Sequence, residues 1–147
     1  MWVIVHTVSG LALGAALGHE DVGAPWWIVA IVALIAHALL DVVPHWDYTR
    51  QPRLHLWVLG DVGASLIVFV TGWLVFDLPG LALLGAAISA APDLDVLDAV
   101  LPVRRHRRLF PSHWKAYPHG SMGPLGGMLV QAAVVGLSLL AVVRLTG

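Results

Sequence analysis

The stretch "PWWIVAIVALIAHALLDVVPHWD", residues 25–47, joins a long apolar run to a group of acidic and imidazole side chains. The run from Pro25 to Val43 is long enough to cross the ~30 Å hydrocarbon core of a membrane as a helix. Pro25 suits the first helical turn, where its missing N–H needs no partner. An ionised Asp near the centre of a membrane helix costs about 2.5–3.5 kcal/mol. The polar end of this helix, with His37 and Asp41, therefore needs a partner that offsets this cost.

Long apolar segments recur through the whole chain. Of its 147 residues, 59% are hydrophobic and 12% are charged, which is about half the charged fraction of a soluble domain. The five segments are residues 2–18, 25–43, 56–76, 78–91 and 124–145. All but the fourth are long enough to span a membrane. We therefore predict one integral membrane domain over residues 1–147, an all-α bundle of about five transmembrane helices with a short fourth helix.

The connections between these segments predict an orientation. The second connection contains Arg50 and Arg53, and the fourth contains the basic cluster "RRHRR" at 104–108 together with Lys115. The first and third connections contain no Lys or Arg. Because basic loops stay in the cytoplasm, we expect the N-terminus and the polar end of the second helix on the cytoplasmic side, and the C-terminus outside. The single basic cluster is too short to indicate a nucleic-acid partner.

This topology gathers the titratable residues of the helices and of the fourth connection at the cytoplasmic side. They are His6, His37, Asp41, Asp61, Asp93, Asp95, His106, His113 and His119. Acids and imidazoles in neighbouring membrane helices are tolerated when they share a cation. His37 and Asp41 are spaced i, i+4, so both can reach one ion from the same helix face. Such ligands without cysteine suit a divalent transition metal, with Zn as the first candidate and Mn or Fe as alternatives, bound as one or two ions.

Two helix ends are similar in sequence. The stretches "LIAHALLDVVPHWD" (34–47) and "LLGAAISAAPDLD" (83–95) both end an apolar segment with a proline, a polar residue and an aspartate. Two such ends facing each other would form a shared metal site, as in membrane folds built from repeats. Pro44 disfavours helical structure at Val43, so the direction of His45 stays open. Hydrogen bonding within the bundle is the alternative role for His6 and for the pair of His37 with Asp41.

Three short motifs resemble a known family. At "VHTVSG" (5–10), "AAPDLDVLD" (90–98) and "HRRLFPSH" (106–113) the chain resembles the YdjM-like family of small inner-membrane proteins, which are described as metal-dependent hydrolases. The resemblance implies that the protein lies in a prokaryotic cytoplasmic membrane. The metal ligands that it implies are His6, Asp93, Asp95, His106 and His113.

The first functional hypothesis is a membrane-embedded, metal-dependent hydrolase acting at the cytoplasmic interface. A metal held by some of the clustered side chains would activate a water and polarise a phosphoryl or acyl oxygen. Asp41, His45 or Asp61 would then serve as the general base. The basic side chains available for an anionic substrate group are Arg104, Arg105, Arg107 and Arg108. Because the site lies at headgroup depth, the expected substrate is an amphiphilic, phosphate-bearing lipid.

Two other classes of function use the same residues. A transporter of metal ions or protons also places acids and histidines within its helices, although the outer halves of these helices lack the polar groups of a continuous path. A non-catalytic bundle would use the metal or the hydrogen bonds for stability alone. The small-residue patterns "GLALGAALG" (10–18) and "GPLGG" (123–127) suit close helix packing in all three cases and are compatible with a homo-oligomer.

Overall fold

The computed structural model describes residues 1–99 and 108–147, with side chains described for residues 1–95 and 108–147. The regular elements in these ranges are all helical. The α-helices are α1 (Val3–Gly18), α2 (Trp26–Val42), α3 (Leu54–Leu74), α4 (Gly80–Ala90) and α5 (Pro124–Thr146). Two 3-10 helices, Ala91–Ala99 and Pro111–His113, lie between α4 and α5. The prediction of an all-α chain with five helices and a short fourth one is confirmed for the described residues.

Prolines mark several helix boundaries. Pro25 directly precedes α2, and Pro124 is the first residue of α5, as expected where a missing N–H costs nothing. At the other end of α2, Val43 has an extended backbone with φ −61° and ψ 133°. That conformation is the one favoured for a residue that precedes proline, here Pro44. The helix therefore stops just after its polar turn and leaves Asp41 at the helix end.

α1 is the central helix and contacts each of the other four. Its closest neighbour is α4, which crosses it where both helices carry glycine. A Cβ atom on Gly10 would collide with the backbone carbonyl of Gly85, and a Cβ on Gly85 would collide with the carbonyl of Gly10. Small residues allow two helix backbones to approach this closely. The crossing fixes the start of α1, including His6, against the end of α4.

The segment before α5 returns to the end of α2. The backbone N–H of Gly120 donates to the carbonyl of Asp41 at 2.9 Å, and the N–H of Met122 donates to the carbonyl of His45 at 2.9 Å. A Cβ atom on Gly120 would collide with the carbonyls of Val42 and Val43. This close contact places the connection that carries His113 directly against the polar end of α2.

Two helices, α3 and α5, are long and apolar enough to cross a membrane, whereas α1 and α2 are apolar but shorter. Only 17% of the most apolar window of α3 and 11% of that of α5 are buried within the protein. Their outer faces carry large apolar side chains such as Leu59 and Leu125, which are 70% and 77% exposed. These two helices therefore present apolar surface to their surroundings and do not form a buried core.

Candidate metal centre

Five titratable side chains meet near the ends of α1, α2 and α4. His6 comes from α1, His37 and Asp41 from α2, Asp93 from the first 3-10 helix and His113 from the second. We refer to these five residues as the His/Asp cluster. The side chains of His6, His37 and Asp41 are at most 1% exposed, and those of Asp93 and His113 are 4% and 9% exposed. The two similar helix ends recognised in the sequence thus face each other across this cluster.

Asp41 lies at the middle of the cluster. Its Oδ1 is 3.2 Å from Nε2 of His6. Its Oδ2 is 3.2 Å from Nε2 of His37 and 3.8 Å from Nε2 of His113. The α-amino group of Met1 also donates to Oδ1, at 2.7 Å. Both carboxylate oxygens are therefore committed to the cluster, and each faces a different imidazole.

Asp93 faces the same imidazoles from the opposite side. Its Oδ2 is 3.9 Å from Nε2 of His6, and its Oδ1 is 3.5 Å from Nε2 of His113. Burial alone would raise the pKa of Asp93, but the nearby His6 imidazole and the hydrogen-bonding imidazole of His113 hold that pKa below its ordinary value. Asp93 is therefore ionised at neutral pH, as a metal ligand must be.

Two groups of ligand atoms are close enough to hold an ion. One consists of His6, His37 and Asp93, and the other of His37, Asp41 and His113; within each group, one ligand atom per residue lies within 4.8 Å of the others. In a tetrahedral zinc site with bonds of 2.0–2.2 Å the ligand atoms lie about 3.3–3.6 Å apart, so an ion would draw the more distant atoms closer together. Both groups use His37, whose Nε2 can bind only one ion, so a second ion would have to be held by the other residues of the cluster.

The tautomer of His37 leaves a gap that a cation would fill. Its Nδ1 is 2.7 Å from the carbonyl oxygen of Ser89. A carbonyl only accepts hydrogen bonds, so Nδ1 carries the proton and Nε2 of the neutral ring has a free lone pair. That lone pair faces Oδ2 of Asp41, another acceptor, at 3.2 Å. Two acceptors at this distance repel each other unless a proton or a metal ion lies between them.

Several other buried ligand atoms also lack a hydrogen-bond partner within the described residues. They are Nε2 of His6, Nε2 of His37, Oδ2 of Asp41 and Oδ2 of Asp93. A buried polar atom without a partner costs about 1–3 kcal/mol, and more when it is charged. Three of the four residues, His6, His37 and Asp93, form one of the two ligand groups, and His37 and Asp41 belong to the other. Buried His and Asp groups of this kind could hold a metal ion, and their nitrogen and oxygen donors fit a divalent transition metal.

Asp95 supports the cluster from behind His113. Its Oδ2 is 3.5 Å from Nδ1 of His113, the ring nitrogen that faces away from Asp41 and Asp93. The same oxygen accepts hydrogen bonds from the backbone N–H groups of Leu109 and Phe110, at 2.8 and 3.0 Å. A carboxylate behind a ligating histidine fixes the orientation of the ring. The other oxygen of Asp95, Oδ1, is buried without a hydrogen-bond partner among the described residues, so the ligand role that the sequence indicated for Asp95 stays a prediction beside this positioning role.

Asp61 has a different set of partners. Its carboxylate accepts hydrogen bonds from the backbone N–H groups of Val3 and Ile4, at 2.8 and 2.9 Å, and from the Tyr48 hydroxyl at 2.8 Å. Burial, with Asp61 beside it, raises the pKa of Tyr48, so the hydroxyl keeps its proton and donates. The first N–H groups of a helix need such acceptors. Asp61 therefore anchors the start of α1, and the general-base role suggested from the sequence stays a prediction.

His45 lies beyond Pro44, next to the end of α2, and is 3% exposed. Its Nδ1 is 2.7 Å from the carbonyl oxygen of Val43. Burial lowers the pKa of His45, so the ring is neutral at neutral pH. By the same reasoning as for His37, Nδ1 carries the proton and Nε2 is a free acceptor. This arrangement settles the direction that the sequence left open for the ring and keeps His45 available as a base.

The remaining predicted site residues are distributed as follows. Arg108 is exposed, and its guanidinium donates to the backbone carbonyl of Asp95. The other predicted residues of the basic cluster lie outside the described residues; they are Arg104, Arg105, His106 and Arg107. The sequence did not predict that the carbonyl of Ser89 would contact His37 or that the amino group of Met1 would contact Asp41. Every residue has such backbone groups, so the residue type does not indicate which of them take part in a site.

Comparison of the chain with protein-family models, with curated proteins and with solved structures found no match in any of the three. The resemblance to the YdjM-like family therefore rests on the motifs alone.

Proposed function

We propose that the His/Asp cluster binds one or two divalent transition-metal ions, zinc in the first place, and that the protein is a membrane-embedded hydrolase of a phosphate-bearing amphiphile. One observation carries the proposal: four buried ligand atoms, from His6, His37, Asp41 and Asp93, converge without hydrogen-bond partners. A cation would satisfy either the group of His6, His37 and Asp93 or the group of His37, Asp41 and His113, since the ligand atoms within each group lie within 4.8 Å of one another. Zinc is the first candidate because it accepts mixed nitrogen and oxygen ligands, and Mn or Fe are the alternatives.

The surrounding residues would hold the ligands in place. Ser89 fixes the tautomer of His37 through its carbonyl, and Asp95 orients His113. When bound, the metal would polarise a phosphoryl oxygen and lower the pKa of a water molecule. Outer partners of this kind commonly change metal affinity by 10–100-fold when they are removed.

Two groups near the cluster fit the remaining steps of an ester hydrolysis. His45, neutral and with Nε2 free, is the first candidate for the base that takes a proton from the attacking water, and Asp41 is the second. The water oxygen bonds to phosphorus, the bond from phosphorus to the ester oxygen breaks, and that oxygen leaves as an alcohol with one proton. Arg108, together with Arg104, Arg105 and Arg107, is proposed to attract the anionic group.

The distribution of polar and apolar side chains supports a membrane location. The titratable side chains of the cluster are buried within the protein, whereas large apolar side chains on α3 and α5, such as Leu59 and Leu125, point outward. A soluble protein of this size rarely exposes so much contiguous apolar surface. With the basic connections in the cytoplasm, the cluster would lie at the cytoplasmic interface, the depth of a lipid phosphate.

Metal analysis of the purified protein is the first test. We expect about one or two equivalents of transition metal in the wild type, and a loss of most of it in His37→Ala and Asp93→Asn. His19→Ala and Asp21→Asn are matched controls, because these residues form a 3.4 Å ion pair in the exposed first connection. Absence of bound metal in the wild type, or equal metal in all variants, would overturn the proposal.

Hydrolysis is tested separately with alkyl phosphates in detergent, measured as released phosphate. We expect activity that is abolished by a chelator, restored by added metal and absent in His37→Ala. If the protein binds metal but hydrolyses no ester, the result would favour a non-catalytic metal-binding bundle. Metal-dependent flux in proteoliposomes without hydrolysis would establish the transporter in place of the hydrolase.

A further inference from the structure

An apolar groove of about 330 Å³ lies between α1, α3 and α4 and reaches the His/Asp cluster. Its volume is within the range of 300–1,000 Å³ that is common for ligand sites. The residues that matter for its shape and chemistry are Thr7, Ser65, Phe69, Ala87, Ala90 and Asp93. The wall contributed by α4 consists mainly of alanines, which leave the space open.

The groove is apolar along its length and polar only at one end. The hydroxyl of Thr7 donates to the carbonyl of Val3, and that of Ser65 donates to the carbonyl of Asp61, both at 2.9 Å. These hydroxyl protons are therefore already used within their own helices. Asp93 is different, because its side chain is 4% exposed and its Oδ2 has no hydrogen-bond partner. Among the described residues, Asp93 is the only acidic one in the wall of this groove, and the groove adjoins the cluster there.

The groove also has a direction. Its α3 wall runs from Val62 to Phe69, which corresponds to about 10 Å along a helix axis. The Val62 end adjoins Asp61, which holds the start of α1 near the cluster. The Phe69 end is two helical turns further along α3. A molecule with its polar end at Asp93 would thus extend its other end along α3, away from the cluster.

We infer that this groove binds the hydrocarbon chain of the substrate, with the phosphate end of the same molecule at the metal ion that Asp93 would help to hold. This inference rests on the proposed hydrolase function and specifies its substrate as a phosphate ester with a linear alkyl chain. Two larger apolar grooves, of about 530 and 580 Å³, lie between α1, α2 and α5 and between α1, α3 and α5, and neither has an acidic residue in its wall. The groove between α1, α3 and α4 differs from the two larger grooves because its wall includes Asp93, a residue of the His/Asp cluster.

Ala87 is the position at which the groove can be filled. It is exposed and lines the groove, so Ala87→Phe places a ring in the groove without displacing a buried side chain. Ala141→Phe is the matched control, because Ala141 lines the groove between α1, α2 and α5. Ala90→Leu provides a second filled variant if Ala87→Phe does not fold, with folding monitored by thermal unfolding and gel filtration.

The kinetic test compares ethyl, butyl and octyl phosphate, because an octyl chain already fills the ~10 Å length of the groove. In the wild type we expect kcat/KM to rise with chain length. In Ala87→Phe the ratio of kcat/KM for octyl over ethyl phosphate should fall by about tenfold or more, since one methylene group in an apolar pocket already changes discrimination by 10–200-fold. Ala141→Phe should keep the wild-type ratio. An unchanged ratio in both filled variants would overturn the inference.

A second measurement needs no turnover. Dodecyl phosphate with a diazirine at the end of its chain is photolysed with the metal-loaded protein, and the labelled peptides are identified by mass spectrometry. We expect labels on the α3 and α4 walls, reduced in Ala87→Phe and unchanged in Ala141→Phe. Labels elsewhere, or labels that Ala87→Phe leaves unchanged, contradict the groove. If the labels fall on the α3 and α4 walls but no hydrolysis is detected, the binding groove is confirmed and the hydrolase function is contradicted. The failure of one proposal can therefore be distinguished from the failure of the other.

Discussion

At the scale of single residues, Asp41 and Asp95 show how similar acids acquire different roles. Both oxygens of Asp41 face imidazoles, those of His6 and His37. A cation bound between these groups would therefore have Asp41 as a direct ligand. Asp95 faces the outer nitrogen of His113 and two backbone N–H groups, so we expect it to act through the histidine. Two predictions separate these roles.

Asp41→Asn should remove metal binding. The amide lacks the negative charge and presents an NH2 group to at least one of the imidazoles that Asp41 now faces. We expect metal affinity to fall by more than about tenfold, since even outer partners of a ligand commonly change it by 10–100-fold. Metal content after dialysis measures the effect. Asp47→Asn, at an exposed residue that bonds only to Thr49, should keep the wild-type content, and an equal loss in both variants would contradict the role of Asp41.

Asp95→Asn should weaken metal binding without abolishing it. The variant keeps all five residues of the His/Asp cluster but loses the charge that orients the His113 ring. We expect a metal Kd that is 10–100-fold higher, with the wild-type number of ions at saturating metal, as determined by titration calorimetry. Complete loss of binding at saturation would indicate that Asp95 is itself a ligand.

At the scale of elements, the glycine crossing between α1 and α4 positions the cluster. The backbones touch at Gly10 and Gly85, and His6 lies one turn before Gly10 on α1. Ser89, whose carbonyl fixes His37, lies one turn after Gly85 on α4. A change of distance at this crossing would therefore displace ligands on both helices.

Gly85→Ala should destabilise the protein, because the added methyl group collides with the carbonyl of Gly10. The expected loss is about 1–3 kcal/mol, which is usual for an overpacked contact. Gly63→Ala is the matched control in α3, where an added Cβ meets no atom within 4 Å and alanine favours a helix interior by about 0.5–1 kcal/mol. Thermal unfolding in detergent should give shifts of opposite sign, and similar shifts would contradict the tight crossing.

The helices were predictable from the sequence because their signals are local. The segment 25–43 corresponds to α2 at Trp26–Val42, since an apolar run bounded by prolines needs no knowledge of the rest of the chain. The i, i+4 pair of His37 and Asp41 is equally local. The partners of Asp61 were not predictable, because Val3 lies 58 positions away in sequence and only the packed structure brings them together.

At the scale of the whole molecule, the titratable side chains of the cluster lie inside and large apolar side chains face outward. The His/Asp cluster is enclosed by helices, and the outer faces of α3 and α5 are apolar. Two helices that could cross a membrane and the basic connections together predict which end of the molecule faces the cytoplasm.

Single cysteines can test this orientation, because the chain has no cysteine of its own. Glu20→Cys lies in the first connection and His119→Cys in the fourth, and both positions are exposed. With a membrane-impermeant maleimide on spheroplasts, we expect labelling of Glu20→Cys, and labelling of His119→Cys only after permeabilisation. The reverse pattern would place the His/Asp cluster at the outer face.

The order of the cluster residues along the chain has a consequence for biogenesis. His6, His37 and Asp41 leave the ribosome long before Asp93 and His113, and N-terminal parts of a chain assemble first during synthesis. With the proposed membrane location and metal site, the early helices would enter the bilayer with an incomplete set of ligands, which should hold an ion weakly. Tight metal loading would become possible only once the segment around His113 has docked against α2. The ion would thus be acquired after insertion, from the compartment that this segment faces, as a late step in maturation.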